Sequence, residues 1–583
     1  MADVILRCLA ANRVTHVFGV PGGPLFAFYA ALARQDAVRS VLAKHEEGAA
    51  FMALGYAQAG GGLGMACTTT SPGATNALTG IASATSDSVP VLLLTAQIAT
   101  DSFGRGALQD SSGGNWSLDV VDTYRSATKL SAMPAHPAHL PRLARHAIRT
   151  ALHGRPGAAH LNVPADLLPA AVPTGPLDVD TAVTVTASAP DPAAVAELAR
   201  QLTAARRPVL LAGQGAKLAK AGGPLVRLAE WGGIPVATTI KGKSVFPEDH
   251  PLSLGTFGFG GHPAAHDHLL SDEVDLVVVV GSGLGELATH GWHPRLLAGR
   301  RVAHVDVDPL QIGKHFPTDV GVVGDADAVL RALLERLPTA GPGGAGSTER
   351  IVPRSSRYYR SAALQAGHDR LRASAVVARL SEVLPPETLI FADNGNCLSW
   401  LGQYFVCRTP GEIFVSLNVG AMGYASGAAI GGKFARPERP VVALVGDAAF
   451  AMNGMELHTA VEYEVPIVWV ILNNGGHGMV HNVQSMMYQR SHDALFRHPI
   501  DIASVARGLG AAATTVTRLD DLDPAVTAAL VADRPHVIDV IVDPEEVPWA
   551  LRGRAETLRA ASATGASRSP ASAGTPSGVD HAW

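Results

Sequence analysis

The chain contains 583 residues, of which 47% are hydrophobic and 17% are charged, and its formal net charge is −5. One hydrophobic core stops growing well below this length, so we expect about three domains with large buried cores. The weakly negative charge excludes a basic surface for nucleic acid. Apolar runs such as LVVVVG and VWVIL are far shorter than the roughly 20 residues that span a bilayer, so we expect no membrane segment.

The first residues, MADVILRCLAANRV, have no basic region ahead of their apolar part and no small-residue cleavage site, which predicts that there is no signal peptide. The cysteines lie far apart, at Cys8, Cys67, Cys397 and Cys407. Without a CxxC pair they argue against a disulfide framework or a zinc site. We therefore expect a cytoplasmic protein.

Three segments alternate apolar runs with Ala-rich amphipathic stretches, which is the pattern of a parallel sheet covered by helices. Residues 1–172 contain HVFGV, VPVLLLT and AAHLNVP; residues 190–338 contain PVLLAG, IPVATT, VDLVVVVG and RVAHVDVDP; residues 356–550 contain LIFADNG, PVVALVG, PIVWVIL and HVIDVIV. The stretches PTGPLDVD and PTAGPGGAGSTER between them are typical of linkers. Residues 551–583 are small and polar and predict a disordered tail. We predict an α/β protein of three doubly wound parallel-sheet domains.

In the third segment, two apolar runs end in an acid or an amide: VVALVG is followed by Asp447, and VWVIL by Asn473-Asn474. The residues that follow are small: Ala448, Ala449, Gly475 and Gly476. Ligands of open parallel sheets lie beyond the carboxyl ends of the strands, and carboxylate and amide oxygens suit Mg²⁺. Small residues allow backbone N–H groups to approach an anion. The pattern predicts a Mg²⁺-bridged diphosphate, although a capping Asp447 and an ordinary Asn-Asn turn remain the alternative.

This pair of motifs resembles the diphosphate-binding motif of thiamin-diphosphate enzymes, which begins Gly-Asp-Gly and ends in two asparagines; here Ala448 replaces the last glycine. FGVPGG, KHEEGAAFMALGYA, TTSPGATNALTGIASATSDSVPVLLLTAQ and GRPGAAHLNVPADLL resemble the N-terminal pyrimidine-binding domain of the acetolactate synthase branch. GIPVATTIKGKSVFPEDHPLSLG and HVDVDPLQIGK are similar to its middle domain, and NVGAMGYASGAAIGGK to its C-terminal diphosphate-binding domain. The resemblance covers essentially residues 1–548, in order.

The resemblance implies a catalytic role for three residues. Glu46 would hydrogen-bond the aminopyrimidine ring and stabilise the imino tautomer, whose nitrogen removes the thiazolium C2 proton. Met422 would force the bent cofactor conformation, and Gln109 would border the substrate. The implied contacts to the cofactor are Pro21, Gly22, Thr69, Pro72, Asn76, Gly395, Asn396, Cys397, Gly420, Met422, Gly446, Asp447, Ala448, Ala449, Asn474 and Gly476.

The metal would be bound by Asp447, Asn474 and the carbonyl of Gly476. In the family, the glutamate domain of one chain meets the diphosphate domain of another. The resemblance therefore implies a homodimer or homotetramer with its active sites at the subunit interface.

Departures from the family pattern cluster at the expected substrate side. In GALQD, Leu108 and Asp110 replace phenylalanine and glutamate, and Val483 stands where many acetolactate synthases carry a tryptophan. The segment SSGGNWS, residues 111–117, resembles an insertion beside the substrate. We predict decarboxylation of a 2-oxo acid, pyruvate first, and transfer of the acyl carbanion to a second carbonyl. The alternatives are a 2-oxo acid decarboxylase, an acetyltransferase of the sulfoacetaldehyde type and a specialised carboligase of secondary metabolism.

The middle segment also imitates a dinucleotide-binding pattern, because VDLVVVVGSGLGE is followed by HVDVDP. Gly281, Gly283 and Gly285 are spaced GxGxG, which is a weak signal for a flavin or nicotinamide oxidoreductase. FAD is the less favoured expectation, since Leu284-Gly285-Glu286 replaces the Arg-Phe-Asp-type segment of FAD-binding relatives. The histidines 477, 481 and 492 are candidates for proton transfer, but surface or packing roles are more frequent for such residues.

Overall fold

The computed structural model describes residues 1–60, 62–172, 179–339, 359–409 and 411–551. The predicted linkers fall partly on residues 173–178 and 340–358, and the predicted tail on residues 552–583; these lie outside the described residues. The predicted domain limits of 172, 190, 338, 356 and 550 remain predictions.

The N-terminal sheet consists of six strands: β1 (His16–Gly19), β2 (Arg39–Leu42), β3 (Gly64–Thr68), β4 (Val91–Gln97), β5 (Leu130–Ala132) and β6 (Ala159–Pro164). They pair in parallel in the order β2-β1-β3-β4-β6-β5. The α-helices of this part are α1 (Ala2–Ala11), α2 (Phe26–Leu32), α3 (Glu46–Gly60), α4 (Pro72–Asn76), α5 (Leu78–Ser86), α6 (Val120–Arg125) and α7 (Leu140–Leu152).

The middle sheet consists of β7 (Pro208–Ala212), β8 (Val236–Thr239), β9 (Ser253–Phe257), β10 (Leu276–Val280), β11 (Arg301–Asp306) and β12 (Val320–Val323). Its parallel strands follow the order β12-β11-β10-β7-β8-β9. The helices are α8 (Pro192–Ala204), α9 (Gln214–Leu218), α10 (Gly222–Gly232), α11 (Pro263–Leu269) and α12 (Ala326–Arg336).

The C-terminal sheet consists of β13 (Leu389–Ala392), β14 (Glu412–Val415), β15 (Val441–Gly446), β16 (Val468–Asn473), β17 (Ala512–Val516) and β18 (His536–Ile541). It is parallel in the order β14-β13-β15-β16-β18-β17. The helices are α13 (Ser361–Gln365), α14 (Ala373–Val383), α15 (Asn396–Tyr404), α16 (Tyr424–Ala435), α17 (Asp447–Asn453), α18 (Glu456–Glu462), α19 (Gly478–Tyr488), α20 (Ile502–Gly508) and α21 (Leu522–Val531).

The central strands are buried on both faces, which explains their unbroken apolar sequences. Every residue of β4, β10 and β16 is buried. The three parallel sheets with helices between their strands confirm the predicted α/β fold. The sheets reverse their strand order between β1 and β3, between β7 and β10, and between β13 and β15. Such reversal points are where open parallel sheets form ligand crevices.

Helices α3 and α16 join the N-terminal and C-terminal parts by close contact between their backbones. A Cβ atom on Gly431 would lie 1.8 Å from the carbonyl oxygen of Met52, and one on Gly55 would lie 2.0 Å from that of Ala428. Only glycine permits this approach, because any side chain would enter the backbone of the other helix. The contact fixes the start of α3, at Glu46, relative to the C-terminal sheet.

We predict that Gly431→Ala lowers the thermal unfolding midpoint, because overpacking of this kind costs about 1–3 kcal/mol. Gly223→Ala in α10 is the matched control, since a Cβ there meets no atom within 4 Å. Alanine should raise stability slightly at this helical position. Scanning calorimetry of both variants at one heating rate measures the difference; an unchanged midpoint for Gly431→Ala would contradict the proposed backbone contact.

Candidate active site

The predicted N-terminal site residues gather at the carboxyl ends of β1 and β3. A Cβ atom on Gly22 would lie 2.3 Å from Oγ1 of Thr69, so the segment after β1 runs against the segment after β3. Asn76, at the end of α4, donates its Nδ2–H to Oε2 of Glu46 at 3.0 Å. Pro72 is the first residue of α4, and Pro21 directly precedes Gly22. These residues form a first group, which we call the N-terminal half-site: Pro21, Gly22, Glu46, Thr69, Pro72 and Asn76.

Glu46 is buried and is positioned by a residue of the C-terminal part. The carboxylate of Glu456 in α18 accepts the backbone N–H groups of Lys44, at 3.0 and 3.1 Å, and of His45, at 2.9 Å. Burial raises the pKa of Glu456, and these donors offset part of that effect. The C-terminal part therefore holds the chain segment that leads into α3 through Glu456, in addition to the contact between α3 and α16.

Gln109 lies beside the N-terminal half-site, in a loop between β4 and α6. Its carbonyl oxygen accepts the hydroxyl of Thr70 at 3.0 Å. Its φ angle is +61°, which is uncommon for a residue with a side chain and places it in a tight turn. Leu108, which directly precedes it, is 88% exposed.

The predicted C-terminal site residues line one cavity of about 2050 Å³. They come from the carboxyl ends of four neighbouring strands, β13 to β16. The members are Gly395, Asn396, Cys397, Gly420, Met422, Gly446, Asp447, Ala448, Ala449, Asn474 and Gly476. The sequence pattern of small and amide residues at strand ends thus corresponds to one continuous surface, which we call the C-terminal half-site.

Three polar groups of the C-terminal half-site lie at the spacing of magnesium ligands. One terminal atom of the Asn474 amide lies 3.0 Å from Oδ1 of Asp447 and 3.0 Å from the carbonyl oxygen of Gly476; hydrogen bonding within the chain places the amide nitrogen there, and a bound cation would take the amide oxygen instead. Adjacent oxygens around octahedral Mg²⁺ are about 2.9 Å apart, given Mg–O distances of about 2.0–2.1 Å. The oxygen arrangement fits a cation held by one carboxylate, one amide and one carbonyl.

The environment of Asp447 favours a positive partner. Its side chain is 1% exposed, and burial raises its pKa to about 7. Its Oδ2 has no hydrogen-bond partner in the part of the chain that the structure describes. Asp447 opens α17, but the N-cap of this helix is Gly446, so Asp447 is not the predicted alternative of a capping residue. A cation would restore the stability of the ionised carboxylate, because an opposite charge lowers the pKa that burial raises.

Two further half-site residues contain buried polar atoms without a hydrogen-bond partner among the described residues: Oγ1 of Thr69 and Oδ1 of Asn396. Such atoms are rare in folded proteins and indicate an unfilled interaction. The amide nitrogen of Asn396 donates to Oδ1 of Asn482 at 2.6 Å, so its oxygen stays free for a ligand. Cys397 also lines the cavity, but its thiol donates to the carbonyl of Asp393 at 2.9 Å.

Sequence reasoning missed the roles of Asp393 and Asn394, although they end the apolar run LIFA in the same way that Asp447 ends VVALVG. The carboxylate of Asp393 accepts the backbone N–H groups of Gly423 and Ala425, at 2.9 and 2.8 Å. Asn394 donates to the carbonyls of Ser416 and Ala421, at 2.8 and 2.6 Å. The two side chains thus shape the loop that carries Gly420 and Met422.

Asp87 also acts on this loop, from the N-terminal part. Its fully buried carboxylate accepts Nζ of Lys241 at 2.8 Å and the hydroxyl of Ser416 at 2.6 Å. Its carbonyl accepts the side-chain amide of Gln214 at 2.6 Å. Residues of all three sheets therefore meet at one carboxylate. No sequence signal marked Asp87, because its partners lie far away along the chain.

The N-terminal half-site does not line the cavity of the C-terminal half-site. Among the described residues, those that line the cavity include neither the N-terminal half-site nor Gln109. The two groups follow different sheets, and the contact between α3 and α16 links the parts that carry them. The chain therefore contains two separate groups of site residues.

The histidines and the middle-sheet glycines singled out from the sequence differ in whether they line the cavity. His477 lines the cavity and packs edge-on against Phe496, with ring centroids 5.9 Å apart. His481 pairs with Ser491 and Glu545, and His492 with Asp493; neither histidine is among the residues lining the cavity. The glycines 281, 283 and 285 and the acid Asp306 line the middle-sheet part of the same cavity.

Within the described residues, no group of three His, Cys, Asp or Glu side chains could hold a metal ion. No helix there is long and apolar enough to cross a membrane. A magnesium site on this chain therefore depends on amide and carbonyl oxygens beside the single carboxylate of Asp447.

Comparison with protein families finds three matches along the chain. Residues 1–114 match the thiamine pyrophosphate enzyme N-terminal TPP binding domain, residues 195–333 its central domain, and residues 393–540 its C-terminal TPP binding domain. The chain is 33% identical to a probable acetolactate synthase large subunit of Methanocaldococcus jannaschii, over 94% of this chain and 92% of the relative.

Two bacterial proteins show the same similarity. The acetolactate synthase large subunit of Corynebacterium glutamicum is 33% identical, over 94% of this chain and 88% of its own. The acetolactate synthase isozyme 2 large subunit of Escherichia coli is 32% identical, over 94% of this chain and 97% of its own. The similarity spans both half-sites and the middle sheet.

We predict that Asp447→Asn weakens Mg²⁺-supported binding of thiamin diphosphate at least about tenfold, because it removes the only charged oxygen of the three. Titration of Mg²⁺ at fixed thiamin diphosphate, followed by intrinsic fluorescence, measures this. Asp166→Asn is the matched control, since Asp166 is an exposed acid that accepts from Thr100 and is not among the residues lining the cavity. Equal Mg²⁺ affinity in the two variants would rule out Asp447 as a ligand.

Proposed function

Because the chain belongs to the acetolactate synthase-like thiamine pyrophosphate enzymes, we propose that it decarboxylates a 2-oxo acid, pyruvate first, and joins the acyl group to a second carbonyl compound. The relatives are acetolactate synthase large subunits, which supports acetolactate as the product. One observation carries the proposal: two half-sites at the reversal points of their sheets contain buried polar atoms without partners among the described residues, on Thr69, Asn396 and Asp447. The chemistry that thiamin diphosphate supplies when bound is a carbanion that adds to the ketone and a sink for the electrons released with carbon dioxide.

In this proposal, the C-terminal half-site holds Mg²⁺ through Asp447, Asn474 and the carbonyl of Gly476. The positive φ of Gly420, +74°, turns the chain so that Met422 lines the same cavity. Small residues after β15 and β16 leave room for phosphate oxygens beside backbone N–H groups. The Mg²⁺ requirement is supported by the spacing of these three groups and by Oδ2 of Asp447, which has no hydrogen-bond partner among the described residues.

The N-terminal half-site handles the proton. We assign to Glu46 the hydrogen bond to the pyrimidine ring, because it is the buried carboxylate of this group. Asn76 fixes one of its oxygens, and Gly73 leaves space beside the other: a Cβ there would lie 3.2 Å from Oε1 of Glu46. Gln109, held to Thr70, contributes the polar border of the substrate. These roles are supported by position and chemistry.

We propose that two copies form the site together, as a homodimer or a pair of dimers. The support is that the N-terminal half-site does not line the cavity that the C-terminal half-site lines. A C2 interface would join the N-terminal half-site of one copy to the C-terminal half-site of the other and would create two sites at once.

A flavin in the middle-sheet part of the cavity is not part of this proposal; a yellow flavin spectrum of the purified protein would contradict that choice.

A cytoplasmic location, and a small 2-oxo acid with a carbonyl acceptor as the only substrates, complete the proposal. The alternatives with the same cofactor differ in product: an aldehyde for a decarboxylase, an acetylated acceptor for an acetyltransferase.

Pyruvate with thiamin diphosphate and Mg²⁺ should yield carbon dioxide and acetolactate, and Glu46→Gln should reduce this by at least about 100-fold. Exchange of the C2 proton, followed by NMR in deuterated water, should also stop while the cofactor still binds. Glu47→Gln is the matched control, because the amide oxygen of a glutamine at position 47 can still accept from Asn453. No carbon dioxide from any of a panel of 2-oxo acids would refute the proposed activity.

A mixed dimer of Glu46→Gln and Asp447→Asn should recover activity. If the sites form between copies, one of the two sites in each mixed dimer contains both native half-sites. Co-expression in equal amounts with two affinity tags should then restore about a quarter of the native activity before selection, since half of the dimers are mixed. Activity that stays at the level of the separate variants would place the whole site within one chain.

A further inference from the structure

Residues 111–117 form a short hairpin that presents a tryptophan to solvent. Ser112 and Asp119 form an antiparallel bridge, and the backbone N–H of Gly113 donates to the carbonyl of Leu118 at 3.2 Å. At the tip, the N–H of Ser117 donates to the carbonyl of Gly114 at 3.0 Å. We call residues 111–117 the 111–117 hairpin.

The indole of Trp116 is 102% exposed and lies outside the core of its own chain. The tip residues Asn115 and Trp116 have φ angles of +49° and +64°, the conformation of a type I′ turn. Bulky residues rarely adopt this backbone conformation, and such outliers concentrate at ligand clamps and active sites. An exposed tryptophan held in this way is suited to bury itself in another surface.

The base of the 111–117 hairpin is rigid. The carboxylate of Asp110 accepts the backbone N–H groups of Gly104 and Ser112, at 3.0 and 2.9 Å. The hydroxyl of Ser111 lies 2.5 Å from the hydroxyl of Thr70 and 3.1 Å from Oε1 of Gln97. Tight anchoring to β4 and to the segment after β3 means that the tip cannot swing freely.

The anchor ties the 111–117 hairpin to the segment that carries the N-terminal half-site. Ser111 contacts Thr70, the neighbour of Thr69. Trp116 is five residues beyond Ser111, and an extended chain advances about 3.3 Å per residue, so its backbone lies within about 17 Å of that of Ser111. The hairpin is therefore close enough to the N-terminal half-site for one second copy to reach both.

The surface that would cover it is apolar. Helix α19 begins at the C-terminal half-site, and its first turns contribute Met479, Val480 and Val483 to the cavity. Val480 is 45% exposed. The 111–117 hairpin contains no charged residue, so it can enter beside an anionic substrate or diphosphate without repulsion. The apolar indole of Trp116 and the apolar face of α19 are therefore suited to pack against each other.

We propose that Trp116 of one copy packs against the Met479, Val480 and Val483 face of α19 in a second copy and forms a wall of the acceptor pocket. The inference rests on the proposed function, because it requires the site to lie between copies. It assigns the choice of the second carbonyl compound to a residue that lies in neither half-site. The first step, release of carbon dioxide from the 2-oxo acid, is independent of Trp116.

A crosslinking experiment tests the contact directly. The double variant Trp116→Cys, Val480→Cys is treated with a short bis-maleimide in the presence of thiamin diphosphate and Mg²⁺. The native cysteines are buried, and burial raises the thiol pKa of Cys8 to about 11 and of Cys67 and Cys407 to about 12, which keeps them unreactive. A covalent dimer should form in the double variant and in neither single variant.

A kinetic experiment tests the role. With pyruvate as donor and an added aldehyde as acceptor, Trp116→Ala should raise the KM for the aldehyde about tenfold and leave the release of carbon dioxide in a single turnover of pyruvate unchanged, while Trp116→Phe should restore most of the native KM. Leu310→Ala is the control: Leu310 is 79% exposed and is not among the residues lining the cavity. A Trp116→Ala enzyme that behaves like Leu310→Ala, or an active double-cysteine dimer without crosslinking, would overturn the inference.

Failure of the inference and failure of the proposed function give different results. If mixed dimers of Glu46→Gln and Asp447→Asn recover activity but neither the crosslink nor the acceptor effect is seen, only the role of Trp116 is wrong. If mixed dimers recover nothing, or no 2-oxo acid is decarboxylated, the proposed function fails and the inference with it.

Discussion

The contact between α3 and α16 is the constraint on which the rest of the structure depends. Its glycines allow two backbones to touch, and any side chain at Gly431 or Gly55 would separate them. This contact links the N-terminal part to the C-terminal part and so sets the relation between the two half-sites. The proposed assembly of two copies needs such a fixed relation, because each copy would have to present both half-sites to its partner at once.

Burial raises the pKa of two carboxylates around the C-terminal half-site, Asp393 and Asp447, but their hydrogen-bond partners differ. Burial raises the pKa of Asp393 to about 7, and backbone N–H groups from Asn394, Gly423 and Ala425 partly compensate. Asp447 has a similarly raised pKa but an oxygen without a partner among the described residues. The first carboxylate is satisfied by the fold and shapes a loop. The second depends on something that the fold does not supply, which is the electrostatic signature of a binding site.

The sequence predicted most of the central strands and missed β3 and the edges. The runs that became β4, β10 and β16 are buried on both faces and are therefore continuously apolar. Four of the six edge strands, β2, β5, β12 and β17, are short or partly exposed, and their mixed composition cannot be distinguished from a loop. Pairing with a neighbour defines an edge strand, and that information is not local in the chain.

The same limit applies to the site. Acids and amides at strand ends, such as Asp447 and Asn474, are visible in the sequence because the adjacent strand is apolar. The oxygen spacing around Asn474 and the exposure of Trp116 were not visible, since both depend on how distant segments fold together. The resemblance to a family assigned residues to a cofactor, but it gave no geometry for the inserted residues 111–117.

The carboxylate of Asp87 has a consequence for how the protein is made. Its partner Ser416 is separated from it by 329 residues along the chain. At about 5–20 residues per second, a ribosome needs about 16–66 s to synthesise that distance. During this time the N-terminal sheet can pair its strands and Lys241 becomes available to Asp87, but the hydroxyl of Ser416 does not. Full burial of Asp87 must follow the synthesis of β14, so the surroundings of this carboxylate are completed only when the last third of the polypeptide is being made.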